Sequence, residues 1–322
     1  MMKRLLTGCL VLVLILPGLL SCSDAKTSEI KLVPAAANTI MQIQVGKILS
    51  NSALQIAYNE LAKKYPSWPQ TANDAFNQLL QKTGFDLSSV SSAVFFANIE
   101  STGQTPNSYA GMIASGKFNE STLIDKIQQQ AKQNLTTSDY KGFTIYSAPQ
   151  DKYVIVFLSA SQLAFGTSKA VQDIVDVSKG DQPALSGSVI DTLKRFGSAL
   201  IVGASVLPQS VRSQLGSEVP QQTTVSLKSL QDMDIIGFAI DQPELNLSFR
   251  IDAHFSVATS AQDAQDTISG LISIAKGTSQ DQNVKSALSN IQISTNNSWL
   301  SIRYIMNTTD IMNLVTTTQT QK

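Results

Sequence analysis

Leu245–Phe255 reads LNLSFRIDAHF, and its side chains fall into two sets. Leu245, Leu247, Phe249, Ile251 and Ala253 alternate with Asn246, Ser248, Arg250, Asp252 and His254. A period of two places the first set on one face of a strand, toward a core, and the second set on the other. Met233–Asp241 (MDIIGFAID) lies just upstream across a short polar link, so two strands arrive in succession. Ser260–Lys276 follows as a helix, and Ile291–Thr295 with Trp299–Met306 forms a late hairpin. Thr308–Val315 is expected as a closing helix. Strands in runs with hairpin-length links, and helices between the runs, predict α+β with mainly antiparallel sheet.

The first half has the same order. Thr39–Val45 (TIMQIQV) alternates as a strand, and helices are expected over Ser50–Tyr65 and Thr71–Thr83, the latter closed by Gly84. Ala93–Ile99 and Tyr109–Gly116 read as paired strands. Asn119 caps a helix, with Phe118 and Leu123 at the positions of a hydrophobic staple. Phe143–Ser147 and Tyr153–Ser159 form a hairpin, Gln162–Gly166 adds a strand, and Ser168–Ser178 closes the half as a helix before Gly180. Ala199–Leu207 then stands where Thr39–Val45 stood. The repeated order predicts two related units, residues 37–180 and 181–322, joined near Asp181–Arg195. Each would be a sheet covered by helices on one face.

The N-terminus reads as a processing signal. Lys3 and Arg4 precede the apolar run Leu5–Leu16, which is short for a membrane span. Leu19-Leu20-Ser21-Cys22 then resembles the bacterial lipobox. That resemblance implies a diacylglyceryl group on the Cys22 sulfur, cleavage after Ser21 and further acylation by chains such as palmitate. Residues 1–21 are thus the signal peptide and 22–36 a flexible tether, placing the body at the extracytoplasmic face of the cell membrane, inner or outer. Cys9 leaves with the signal, so no internal disulfide can form. Lys3 and Arg4 leave too, turning the balance of 24 basic and 24 acidic residues slightly acidic. With no basic excess and only 15% charged residues, nucleic acid is not the expected partner.

Candidates for chemistry are few. His254 is the sole histidine and falls on the polar face, where a solvated imidazole is expected, with no carboxylate or nucleophile placed beside it. One histidine and one lipidated cysteine predict no metal site and no cofactor. Ser273-Ile274-Ala275-Lys276 matches S-x-x-K and Lys82-Thr83-Gly84 matches K-T-G, but in reversed order and without an S-D-N between them. Tyr65-Pro66-Ser67-Trp68-Pro69 is an aromatic loop, expected to fold back and seal the helical pair. No catalytic residue is expected and the ligand-binding residues are unknown.

The AANTIMQIQV opening, the FDLSSVSSAVFFANI passage and the SDYKGFTIYSAP hairpin, behind a lipobox, resemble uncharacterised exported bacterial lipoproteins. The resemblance covers most of residues 37–180, includes a Tyr-Lys-Gly-aromatic turn at Tyr140–Phe143, and transfers no catalytic residue. The resulting expectation is a lipid-anchored, non-catalytic envelope protein that binds a partner or acts as a scaffold. The alternatives are a carrier or sensor of an apolar ligand held between sheet and helices, and an envelope hydrolase built on Ser or paired carboxylates.

Overall fold

The computed structural model describes residues 29–307 except 64, 66, 84, 100–108, 150–151, 216–227 and 244–245. The processing signal with Ser21 and Cys22, Gly84 and the expected Thr308–Val315 helix lie outside the described residues.

Mixed helix and antiparallel sheet is the architecture, as the strand pattern requires. All twelve described strands belong to one sheet. They are β1 (Thr39–Ile43), β2 (Val90–Asn98), β3 (Tyr109–Gly116), β4 (Thr136–Tyr140), β5 (Phe143–Ser147) and β6 (Tyr153–Ser159). There follow β7 (Gln162–Thr167), β8 (Ile201–Val206), β9 (Met233–Asp241), β10 (Asn246–Phe255), β11 (Ile291–Asn296) and β12 (Trp299–Asn307). Their spatial order is β11-β12-β10-β9-β8-β1-β2-β3-β7-β6-β5-β4. At the centre β1 pairs antiparallel with β8, from Thr39 opposite Ser205 to Ile43 opposite Ile201. The hydroxyls of Thr39 and Ser205 are 2.7 Å apart across that seam.

Among the described residues the α-helices are α1 (Val45–Leu49), α2 (Ser52–Ala62), α3 (Ala72–Thr83), α4 (Glu120–Ala131), α5 (Ser168–Lys179), α6 (Ser188–Lys194), α7 (Gln209–Leu215), α8 (Ala258–Thr278) and α9 (Gln282–Ser289). They cover both faces of the sheet, which corrects the expectation of helices on one face. On one face Ala170, Val171, Ile174 and Val175 of α5, with Val189 and Leu193 of α6, pack on Ile40, Val94, Ile113, Val156 and Val202. On the other, Val45, Ile48 and Leu49 of α1 and Leu123 of α4 meet Ile43, Ala93, Ala114 and Leu163. Further along that second face, Ala261 and Ala264 of α8 sit on Ala253, Phe255 and Leu300. Central strands present apolar side chains on both faces, and each face must be shielded from water.

Local signals place several elements as expected. Asn119 Oδ1 accepts from the Thr122 amide at 2.9 Å, and Phe118 and Leu123 pack against the same core. Gly180 terminates α5 in the left-handed region at φ 81°. Trp68 stacks on Tyr65 at 4.8 Å and Tyr58 donates to the Pro69 carbonyl at 3.0 Å, so the aromatic loop closes the α2–α3 pair. The expected Ser50–Tyr65 helix is α2, Ser52–Ala62, and the short α1, Val45–Leu49, precedes it where strand was expected to end.

Residues 29–36, expected as part of a flexible tether, are packed on the body, while 22–28 lie outside the described residues. From Glu29 the chain is packed: Glu29 and Val33 are fully buried, and the Ser92 hydroxyl donates to the Glu29 carboxylate. A 3-10 turn at Ile30–Leu32 leads to a short strap against the segment between the halves. There Leu185 N–H donates to the Val33 carbonyl at 2.7 Å and Ala35 N–H to Pro183 at 3.1 Å. Val33→Ala should therefore lower unfolding free energy by about 2 kcal/mol, measured by urea denaturation. A flexible tether would register no change.

Candidate functional site

The strand that decides the fold also carries the site. On β10 two positions depart from the exposure that the alternation predicts. Asp252 is fully buried, whereas Ile251, assigned to the core face, is 41% exposed. The cause is the placement of helices. α6 packs on the neighbouring β8 and β9, and Arg195 and Phe196 after it reach the polar face of β10, while α8 buries Ala253 and Phe255 of the apolar face. α6 can approach because Gly237, opposite Asp252 on β9, has no side chain; a Cβ there would stand 2.6 Å from Thr192 and 2.7 Å from Phe196.

Asp252 is held from several directions. Arg195 Nε donates to it at 2.9 Å, Arg250 donates through Nε at 2.8 Å and Nη2 at 2.7 Å, and the Ser301 hydroxyl donates at 2.8 Å. A buried carboxylate is tolerable only when its lone pairs are met in this way. The two guanidiniums are themselves oriented. Arg195 lies over the Trp299 ring at 3.9 Å, and Arg250 lies 5.3 Å from the Phe196 ring and donates through Nη1 to the Arg195 carbonyl at 3.3 Å. Both arginines remain about one-third exposed.

His254 extends the same face. Its Nδ1 is 2.6 Å from Asp234 Oδ1, and its ring meets Trp299 edge-on at 4.9 Å. This corrects the expectation of a solvated imidazole without a carboxylate. The signal is a β-bulge: Ile235 pairs with His254 and Met233 with Phe255, leaving Asp234 as an extra residue. A bulge re-aims the side chain it adds, which strict alternation cannot anticipate.

A second buried cluster lies on α5. Asp173 accepts from Tyr109 at 3.1 Å, Lys169 at 2.5 Å and Gln182 at 3.2 Å; Asp176 accepts from Tyr140 at 3.0 Å and Gln182 at 3.0 Å and pairs with Lys141 at 2.6 Å. The Lys141 ammonium holds the Asp176 carboxyl below the usual range, and the same contact raises Lys141. Burial and the carboxylate beside it push Tyr109 up. Tyr140–Phe143 is a tight turn with Lys141 at φ 53° and Gly142 at φ 84°, and Lys179 lies 4.8 Å over Phe143. The Tyr-Lys-Gly-aromatic motif therefore docks the β4–β5 hairpin onto α5.

Both members of the S-x-x-K match, Ser273 and Lys276, lie on α8. Ser273 donates to the Ser269 carbonyl at 2.8 Å on an exposed stretch of α8. Lys82-Thr83 ends α3, and Gly84 lies outside the described residues. Among the described residues no group of three His, Cys, Asp or Glu side chains could hold a metal ion, and no helix is long and apolar enough to cross a membrane. The two best-formed depressions are open at the surface, of about 490 Å³ beside Phe118 and Ser161, and about 440 Å³ beside Trp68 and Gln78.

Comparison with known proteins gave structural neighbours alone: no family model and no curated protein matches the chain. Three crystal forms of a protein named TP0453 are similar over 91% of this chain. Form III has 7% identity, a TM-score of 0.46 and 99% of its own chain covered. Form IV has 9% identity and a TM-score of 0.48, and form I has 8% and 0.45, each with 98% covered.

Two outcomes follow from these clusters. Arg250→Gln should destabilise by about 3–5 kcal/mol in urea denaturation, because it leaves Asp252 buried with a depleted set of donors. Because the folded Asp176 is more acidic than the unfolded one, its contribution is present above the ordinary carboxylate range and lost as pH falls through the lower folded value. Asp176→Asn should remove that acid-side loss, seen as a flatter melting temperature against pH below about 4.

Proposed function

We propose that this chain is a lipid-anchored, extracytoplasmic protein of the cell envelope that acts as a non-catalytic binding or scaffold module. Leu19-Leu20-Ser21-Cys22 supports the anchor: cleavage after Ser21 leaves Cys22 as the acylated first residue. The observation that carries the binding role is the partly open polar face of β10 and β12, stiffened from beneath by buried Asp252. Oriented, half-exposed arginines and aromatics on a rigid sheet are the side chains enriched where proteins meet partners.

The clusters favour binding over hydrolysis. Lys141 lowers the pKa of Asp176, the opposite of the raised pKa that a carboxyl general acid requires. Ser273 donates to its own helix, and among the described residues no base is bonded to it.

The body reads as two related units, residues 37–180 and 181–322, fused through β1 and β8. Outward from that seam the order is β1-β2-β3-β7-β6-β5-β4 on one side and β8-β9-β10-β12-β11 on the other, each with helix after the third strand, the first side longer by two strands. A second reading, a carrier or sensor of an apolar ligand, is supported by exposed Ile251 in the interior strand β10. It calls for an enclosed apolar chamber, and the two best-formed depressions are open.

Anchoring is tested by fractionation and intact mass. The native chain should sediment with membranes and carry acyl chains beyond the mass of residues 22–322. Cys22→Ala should appear in the soluble fraction, and a variant that stays membrane-bound would overturn the anchor.

A further inference from the structure

We propose that the polar face of β10 and β12 is a binding site for an anionic group, a phosphate or phosphate-like headgroup, gripped by Arg195, Arg250 and Arg303. The proposal names the ligand class for the binding face described above and rests on that reading.

The register brings the cations together. Arg250 on β10 stands directly opposite Arg303 on β12, so both project from the same face of the sheet. Directly opposed side chains lie ~5 Å apart at Cβ, and like charges so placed repel. Asp252, one row along the strand and opposite Ser301, neutralises one cation only. Arg195 reaches the same carboxylate from beyond the end of α6. Arg195 and Arg250 therefore share one buried carboxylate, and Arg303 beside them makes no ion pair among the described residues.

The unused donors point to a ligand. Arg195 gives its Nε to Asp252, and among the described residues no bond occupies either of its Nη groups. Arg250 spends one N–H from each Nη on Asp252 and the Arg195 carbonyl, leaving one on each. Arg303 is exposed and makes no hydrogen bond or ion pair among the described residues. A guanidinium fork matches the oxygen geometry of phosphate and carboxylate. Asp252 and Trp299 fix the planes of two of these forks before a ligand arrives, which reduces the ordering cost of binding. An oxyanion between Arg250 and Arg303 would turn a repulsive cross-strand pair into a bridged one.

The neighbouring rows fit a polar ligand. Gln292 is opposite Arg303, Ser294 opposite Ser301 and Asn296 opposite Trp299, all on the edge strand β11 and all exposed. They add neutral hydrogen-bonding groups and no further carboxylate. Of the other carboxylates on this face, Asp241 on β9 stands opposite Ser248, one row from Arg250, and Asp234 belongs to the His254 end, where it is paired.

Hydrogen exchange on the purified full chain, followed at β10 and β12, distinguishes the sources of the anion. Three probes are used at matched ionic strength: inorganic phosphate, vesicles of phosphatidylcholine alone, and vesicles containing phosphatidylglycerol. Protection of β10 and β12 by phosphate assigns a free oxyanion, and protection only by phosphatidylglycerol vesicles assigns an anionic headgroup. In either case Arg303→Gln should weaken the midpoint about tenfold. That variant is suited to the test because Arg303 is exposed and unpaired, so the fold does not depend on it. Equal protection by both vesicle types, unchanged in Arg303→Gln, would overturn the anion site while leaving a binding face. Absence of protection with every probe would overturn the anion site. If an envelope extract also fails to protect the two strands, the binding face falls with it.

Discussion

The antiparallel pairing of β1 with β8 is the contact on which the rest of the architecture depends. Each strand is bonded to its own half on one side, β1 to β2 and β8 to β9. Without the seam each half would present an unpaired strand edge, a template for association with other chains. With it, both edges are consumed and the apolar side chains on either side merge. One core runs from Ile40 and Val94 in the first half to Val202, Ala204 and Ala239 in the second. The strap between Val33 and Leu185 lies over the same region, so the N-terminal segment and the connection between the halves are tied together there. The sheet edges fall instead to β4, polar and exposed, and to β11, which alternates isoleucine with exposed polar residues.

Asp252 is the second constraint, and it is electrostatic. Desolvating a carboxylate costs several kcal/mol, and the return from two arginines and a serine roughly balances that cost rather than exceeding it. The arrangement is therefore poorly explained as a means of adding stability. What it does is fix side chains. Arg195 is held against Trp299 and Arg250 against Phe196, so a flat sheet surface acquires rigid charged groups whose positions do not depend on a partner.

Legibility in the sequence follows from how each signal arises. Met233–Asp241, whose alternation is driven by burial on one face, and Tyr109–Gly116, a short apolar run bounded by turn residues, were readable to the residue. Helix ends written in caps, Asn119 and Gly180, were readable for the same reason: the signal is local. β4 was not, because TTSDY is polar and exposed along nearly its whole length and so has no alternation to detect. α6, seven residues in a stretch that reads as a boundary, falls below the length at which helical periodicity declares itself. That omission explains the error at the site. Without α6 the polar face of β10 has nothing above it, and Asp252 reads as solvated. The Asp234–His254 pair needed a bulge, and the β1–β8 seam needed a partner about 160 residues away, neither of which is a local property.

The same face of the sheet is treated differently at its two ends, and the difference is informative. Over β3, β6 and β7 it carries Ile113, Val154, Val156 and Ala164, and α5 lies on them with Ala170, Val171, Ile174 and Val175. Over β10 and β12 it carries Arg250, Asp252, His254, Ser301 and Arg303, with α6 and Phe196 reaching only as far as Gly237. Covering charged side chains with a helix would strand them without water, and exposing the apolar ones would forfeit roughly 25 cal/mol for each Å² uncovered. Side chains and helix positions are thus mutually consistent at both ends. The covered end supplies core; the open end retains unspent donors on a rigid frame, the physical requirement for recognising a ligand without remodelling the fold.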